Sequence, residues 1–424
     1  MASQTENRPR PRGQKGSSMT DVMKGIRVLE VAEHTFVPAA SAVLADWGAD
    51  VIKIEHAVRG DAMRGLGRTG VMDLSGGVHV LNEHSNRGKR SLGLDLGNSD
   101  GLAVLYALAR QSDVFLSNKL PGTLARLKID VADIRAQNPK IIYVRGTSFG
   151  VRGPDRDRGG YDMTSFWCRA GSAASVSPAE LPGVLPQPGP AWGDSMGGMT
   201  IAGGIAAALF KRERTGEPSV VDVSLLSAGA WAMSAGIALS LQRKRPWGTP
   251  MPGGTGSFNP LVGIYATSDG RYVCLVMLQA AKYWADFCAH VDRPELATDP
   301  RFEGADKLAA NASEAVVILR EVFAKRTLAQ WTERFQTLKG QWAPVQNTLE
   351  VAEDPQVRAN GYMVKTTTKE GTPFELVATP VQFDEAPTPT RRAPEFNEHG
   401  DEVLAELGLD MERILELKAS GAVA

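Results

Sequence analysis

Asp194 sits in the stretch PAWGDSMGGMTIAGG, which begins at Pro190 and runs into an apolar segment ending in Lys211 and Arg212. A carboxylate between a glycine and a serine at the mouth of a helix has two readings. One is structural: Asp is a favoured N-cap whose oxygens accept backbone N–H bonds, worth about 1 kcal/mol. The other is chemical. Each glycine inside a helix costs about 1 kcal/mol relative to alanine. A cap does not need Gly197 and Gly198 beside it, so the missing side chains suggest that something approaches the helix start closely. The helix N-terminus also favours an ionised acid. Such a group, charged at neutral pH and open on one side, can serve as a nucleophile.

Other chemistries find less support. None of the six histidines shows metal-ligand spacing, and none pairs with a Ser in a GxSxG elbow. Cys168, Cys274 and Cys288 are odd in number and widely spaced, which makes no zinc pattern or disulfide framework and favours a reducing cytosol. Cys168 is near Asp194 in sequence and reads as a buried structural thiol. The turn after the first strand, AEHTFVPAA, has no glycine, so the GxGxxG site of an NAD enzyme is disfavoured.

The elements that position these residues follow from the hydrophobic pattern. Over 424 residues, 43% hydrophobic and 22% charged, there is ample material for a large core. The net charge of −1 gives no basic excess for nucleic acid or an anionic membrane. Residues 1–20 read as a polar disordered tail without an apolar signal core. IRVLEVA, DVIKIE, SLGLDL, DVFLSN and KIIYVRGT read as strands alternating with helices, which predicts βαβ units and a parallel sheet. Ligands of such sheets lie at the carboxyl ends of the strands, where Glu55, His56, Asn118, Thr147 and Ser148 fall.

Residues 148–193 are loop-rich, and a stretch that long with little regular structure is usually functional. A helix is predicted from Ser195 to about Arg214, then a strand, then an uncharged helix over 224–241, read as buried in a core or a subunit interface rather than in a membrane. A second Gly-rich loop, GTPMPGGTGSFNP, precedes a hairpin with Asp269-Gly270 in its turn. The organisation expected is a large domain over 21–230, a small domain over 245–340, and a return to the large domain over 345–424.

Several dispersed motifs, in order, carry a resemblance. GIRVLEVA with PAASAVLADWGADVIKIE, the GDAMRG loop, NRGKRSLGLDL, DVFLSNKLPGTLARLKID, NPKIIYVRGTSFG, GGYD, WGDSMGGM and TGEPSVVDVSLL are similar to those of the class III (formyl-CoA transferase-like, CaiB/BaiF) coenzyme A transferases. The resemblance implies an α/β fold: a Rossmann-like parallel-sheet large domain with a smaller α+β domain, in a homodimer whose subunits interlock like chain links. It implies a cytoplasmic enzyme that takes acyl-CoA and a small carboxylic acid as substrates. It brings no tightly bound cofactor, metal, nucleic-acid partner or membrane.

In this family the acid of the GD[ST] motif is the nucleophile, which carries over onto Asp194. The implied route is attack on the acyl-CoA carbonyl, a mixed anhydride, and return of CoA thiolate to give an aspartyl-CoA thioester. An acceptor carboxylate then reverses the steps. Each tetrahedral intermediate needs backbone N–H donors. Gly253 and Gly254, with Gly256, match a glycine loop that covers the site in relatives, and read otherwise as a connection between domains. Thr35 and Phe36 match the first strand–helix turn against the nucleotide, and Leu94, Asp95 and Leu96 a segment that packs the adenine. Asn118 and Lys119 match a strand-end contact, and Arg126 a phosphate contact. His56 stands where an Arg is often found. Thr35 and Gly97 also depart from the family's common residues. Arg64, Lys89 and Arg90 are cations that compensate if they reach the phosphates, or else solvated surface charges.

A racemase branch of the same fold has His at the position of Tyr161 and exchanges an α-proton. A tyrosine pKa near 10 does not suit that task, so Tyr161 favours transfer over the alternative of an acyl-CoA racemase or epimerase. Asp162 reads either as a group orienting the site or as a structural loop acid. Arg145, Arg152 and Arg169 are candidates for clamping a dicarboxylate, although the acyl chain itself is not legible.

Overall fold

The computed structural model describes residues 22–74, 76–248 and 259–424. Both the expected tail and the glycine loop with Gly253, Gly254 and Gly256 lie outside them. The described chain divides into two units. The first takes in residues up to 175, then 185–247 and 355–424; the second takes in 176–184 and the segment from Gly248 to Asp354.

In the first unit, the predicted alternation forms a mixed α/β body around one six-stranded sheet. In chain order the elements are β1 (Arg27–Val31), α1 (Phe36–Asp46), β2 (Asp50–His56), α2 (Val80–Asn86), β3 (Arg90–Leu94) and α3 (Ser99–Arg110). They continue with β4 (Val114–Ser117), α4 (Pro121–Leu127), α5 (Val131–Gln137), β5 (Ile142–Thr147), α6 (Ser172–Val176), α7 (Trp192–Thr215) and β6 (Val220–Ser224). The sheet order is β3-β2-β1-β4-β5-β6 and every pairing is parallel. The chain therefore reverses its direction of winding between β1 and β4, which opens a crevice at their carboxyl ends.

Val28, Leu116, Val144 and Ile201 belong to one apolar cluster, and Leu29, Phe115, Tyr143 and Leu105 to another. Adjacent strand residues thus point to opposite clusters, as a sheet covered on both faces requires. The chain's last residues close over β3. Asp95 N–H donates to Ala422 at 3.0 Å and Ala424 N–H to Gly93 at 3.2 Å. A β-carbon on Gly93 would stand 2.7 Å from that of Ala424.

The glycines of α7 have a structural explanation that differs from the sequence reading. A β-carbon on Gly197 would meet the Phe36 ring at 2.4 Å, and one on Gly198 would meet Ala39 Cβ at 2.8 Å and the Phe36 carbonyl at 3.1 Å. What approaches the helix start is α1. The bare backbone lets two helices pack closely, because side chains set the usual interaxial distance.

Helix α7 also begins earlier than predicted, at Trp192, because Ala191 adopts a left-handed conformation (φ 56°) that turns the chain into it. The uncharged segment after β6 is two helices, α8 (Leu225–Ala232) and α9 (Ser234–Arg243), bent by 68°. Gly229 in α8 lies against Ala170 and the Phe166 carbonyl, whereas α9 has no buried residue. No single helix among the described residues is long and apolar enough to cross a membrane; only this bent pair has the combined length and composition.

The second unit has a three-stranded antiparallel sheet, Val262–Ala266, Tyr272–Val276 and Trp342–Pro344, with Gly270 supplying the positive φ of the predicted turn. Its core is aromatic, with Phe287, Phe323, Trp331 and Phe335 in mutual contact.

Candidate functional site: a half-buried carboxylate beside two adjoining cavities

A buried charge cluster joins β1 and β2 to the segments that follow them. Glu30 of β1 is fully buried and accepts from Lys53 Nζ and Lys89 Nζ, each at 2.7 Å, and from the Ser41 hydroxyl. Lys53 also pairs with Asp61 at 2.8 Å. Burial of this kind works against every charge, so the cluster persists only because acids and bases are matched. Burial alone would raise the Glu30 carboxyl, but Lys53 and Lys89 hold it below its ordinary value. Burial pushes Lys89 down to about 8, against the pull of Glu30.

The network shapes the turn above it. Asp61 accepts the N–H of His34 at 3.0 Å and of Met63 at 2.8 Å. That bond holds His34 in a left-handed conformation (φ 65°), uncommon for a side chain of its size. The His34 ring then meets Tyr161 edge-on at 5.5 Å.

Two acids, Asp162 and Asp194, meet at the start of α7. Asp194 lies within the first turn of the helix rather than at its cap. Asp162 supplies the cap, accepting the Gly193 N–H through both oxygens at 3.0 Å, with a further bond from Gln187 Nε2 at 3.3 Å. Gly193 is required here, since a β-carbon would stand 2.3 Å from Phe166 and 2.4 Å from Asp162 Oδ1. Asp194 is half-buried; burial first, and the Asp162 charge second, raise its carboxyl to about 7. The fully ionised acid expected from the helix dipole is therefore only partly ionised at neutral pH. The adjacent Ser195 hydroxyl lies 3.1 Å from Nε2 of His84, whose pKa burial lowers to about 4.

Two cavities open along the strand ends. One, of about 450 Å³, is lined by His56, Arg59, Leu94, Asp95, Leu96 and Arg126 among others. The second, of about 610 Å³, contains Asp194, Tyr161, Phe36, Asn118 and Arg158. Both are lined by Glu33, Lys119 and Thr123, so the cavities adjoin across these three residues. Lys119 pairs with Glu33 at 2.7 Å. Asn118 clamps the same turn, accepting from the Glu33 N–H at 3.2 Å and donating to its carbonyl at 2.7 Å.

The family model for CoA-transferase family III matches residues 23–400. The chain belongs to that family. It is 29% identical over 409 residues to the (R)-2-hydroxy-4-methylpentanoate CoA-transferase of Clostridioides difficile, covering 95% of this chain and 99% of the relative. To the succinate–glutarate CoA-transferase of Agrobacterium fabrum it is 32% identical over 401 residues, covering 91% and 95%. A crystal structure of a CAIB/BAIF family protein from Brucella suis superimposes with a TM-score of 0.76 at 26% identity, covering 91% of this chain and 99% of that one.

In this family III transferase, not every site residue read from the sequence lines the two cavities. Thr35 is buried at the start of α1. Lys89 is buried with Glu30, as above. Arg90 pairs with Asp50 and Glu406, each at 2.7 Å, and Arg64 with Glu55 at 2.7 Å. Asp162 lies behind Asp194 rather than in the cavity wall. The His56 ring is engaged locally, its Nδ1 accepting from the N–H of Val58 at 3.1 Å and of Arg59 at 3.4 Å.

Sequence reasoning passed over His34, Arg59, Phe149 and Arg158. For Arg59 a signal existed: it lies three residues after His56, in the loop where the family's common Arg is missing. Nothing in the sequence marks the left-handed turn at His34.

Proposed function

We propose that this CoA transferase moves CoA from an acyl-CoA donor to a carboxylic acid through an aspartyl-CoA thioester on Asp194. The adjoining cavities carry the reading. The smaller one, with Leu94 and Leu96 as apolar contacts and Arg59 and Arg126 as cations, suits the nucleotide and its phosphates. The pantetheine arm passes over Glu33, Lys119 and Thr123 and delivers the thioester to Asp194 in the larger one.

The carboxylate attacks the thioester carbonyl, giving a mixed anhydride and CoA thiolate. The thiolate adds to Asp194 Cγ, and the donor acid leaves. The acceptor carboxylate then attacks the same carbon and regains CoA by the reverse sequence. Asp162 is a positioning residue in this scheme: it seats the helix entrance and, through its charge, helps keep Asp194 basic. Relatives named for 2-hydroxy-4-methylpentanoate, phenyllactate, glutarate and oxalate point to small organic acids as the acceptor class.

A homodimer, interlocked as in the family resemblance, accounts for the exposed apolar side chains Phe210, Trp231 and Leu241 on α7, α8 and α9. Cross-linking and light scattering test it; a monomer at micromolar concentration would refute it.

The chemistry is tested by mass spectrometry after mixing the enzyme with cinnamoyl-CoA, succinyl-CoA or formyl-CoA. A hydroxylamine-sensitive CoA adduct on the peptide containing Asp194, absent from Asp194→Ala, is the expected result. Turnover by Asp194→Ala at the unsubstituted rate would overturn the proposal.

A further inference from the structure

Arg158 lies in the segment between β5 and α7 and lines the cavity that contains Asp194. Its guanidinium is weakly held. It meets Asp155 at 3.9 Å, and that carboxylate is already engaged by Arg169 at 2.5 Å. The Arg158 side chain retains 67% of its exposure, and it lies 5.7 Å from the centre of the Phe149 ring, another wall of the cavity. Lys119, the other Lys or Arg among the described lining residues, is committed to Glu33. The arginines that the sequence suggested are not in the wall: Arg145 is paired with both oxygens of Asp222, and Arg169 with Asp155.

An acid substrate enters as an anion and meets two carboxyl groups, Glu33 and Asp194, in the same cavity. Moving a further carboxylate out of water beside them is unfavourable without a counter-charge. A guanidinium takes a carboxylate through two parallel N–H···O bonds. We infer that Arg158 holds the reacting carboxylate of the incoming acid, the group that every acceptor shares. This rests on the aspartyl-CoA reading above.

One oxygen of the held carboxylate bonds to Asp194 Cγ as the C–S bond breaks and CoA leaves as thiolate. The thiolate then adds to the acyl carbonyl of the anhydride, and Asp194 leaves as carboxylate. No proton or further reactant is consumed. Phe36, Leu120, Phe149 and Leu225 line the same cavity, so the skeleton that suits it is apolar.

The test uses the full-length enzyme, Arg158→Gln and Arg158→Lys. The donor is cinnamoyl-CoA or succinyl-CoA, whichever loads Asp194 of the unsubstituted enzyme; the acceptors are phenyllactate, 2-hydroxy-4-methylpentanoate and glutarate. In Arg158→Gln the KM for every acid rises roughly tenfold to a hundredfold. The KM for acyl-CoA and kcat at saturating acid stay within about threefold, and Arg158→Lys recovers part of the loss. If neither donor loads the unsubstituted enzyme, the aspartyl-CoA reading itself fails. If Arg158→Gln loads normally and its KM for acids is unchanged, the role of Arg158 alone is overturned. A loss confined to glutarate, or an equal rise for acid and acyl-CoA, also overturns it.

Discussion

Asp162 caps the helix on which Asp194 rides: both of its oxygens lie 3.0 Å from the Gly193 nitrogen, one residue before Asp194. The cap and the cavity-facing carboxylate, which the sequence allowed to be one residue, are two. Asp194 is thereby left to line the cavity.

The first prediction concerns pH. The proposed attack requires an ionised carboxylate, and the carboxyl of Asp194 is raised to about 7 by burial first and by Asp162 second. The rate of thioester formation therefore falls as pH drops through about 7. Asp162→Asn keeps an oxygen acceptor for Gly193 and removes the charge, so this acid limb moves to lower pH. A pH profile of adduct formation in both enzymes checks it; an unmoved limb would show that Asp162 exerts no electrostatic effect.

A raised acid pKa also has a sign for stability. The folded state disfavours the ionised form, so Asp194 destabilises the fold above its unfolded pKa, and fully so above about 7. Asp194→Asn is then more stable than the unsubstituted protein at pH 8, by up to about 4 kcal/mol, since each pKa unit corresponds to about 1.4 kcal/mol. The difference shrinks as pH falls toward 4. Urea unfolding at the two pH values measures it.

Three glycines of one helix separate packing from propensity. Gly198→Ala places a methyl group 2.8 Å from Ala39 Cβ and 3.1 Å from the Phe36 carbonyl, where α1 cannot yield cheaply. It should destabilise by about 1–3 kcal/mol. Gly197→Ala meets the Phe36 ring and should follow it. Gly203→Ala, with nothing within 4 Å, should gain about 0.5–1 kcal/mol from helix propensity. Chemical denaturation of the three variants tests the order.

Much of this was legible and some was not, for identifiable reasons. The strands of the sheet could be read because parallel strands covered on both faces need apolar runs; VFLS supplies one outright, and RVLEV departs from it only at Arg27 and at Glu30, whose buried charge Lys53 and Lys89 match. The glycine setting singles out Asp194 in the sequence, but the cause of that setting is not legible there. Only the folded chain shows that Phe36 and Ala39, some 160 residues away, fill the space. The same limit applies to Lys89 and Arg90. A sequence shows a cation but not Glu30 or Glu406 beside it. The bend between α8 and α9 was hidden because composition runs uniformly through Met233.

The buried cluster gives a fourth prediction. Glu30→Gln leaves Lys53 and Lys89 facing one another without their shared acid. Breaking a buried pair from one side costs about 3–5 kcal/mol. Because Asp61 pairs with Lys53 and also secures His34, acyl-CoA binding should weaken along with stability. Calorimetric unfolding and a CoA titration read the two effects; Glu30→Gln with unchanged stability would contradict the assignment.

Arg59 and Arg126 line the smaller cavity with Lys119. Replacing either arginine by alanine should raise the KM for acyl-CoA about tenfold, the worth of one charged hydrogen bond, with kcat within about twofold. Steady-state kinetics at two salt concentrations check it, since the loss should narrow at high ionic strength.

The cap on α7 arrives from thirty-one positions upstream, on a chain segment that also furnishes Arg158 and Tyr161 to the cavity wall. Seating that segment and clothing the bare amides at the helix tip are one event. Displacing that segment would take the acceptor from the Gly193 amide and part of the cavity wall together. A local fluctuation there registers twice, in shape and in charge, and these two properties of the pocket cannot drift apart.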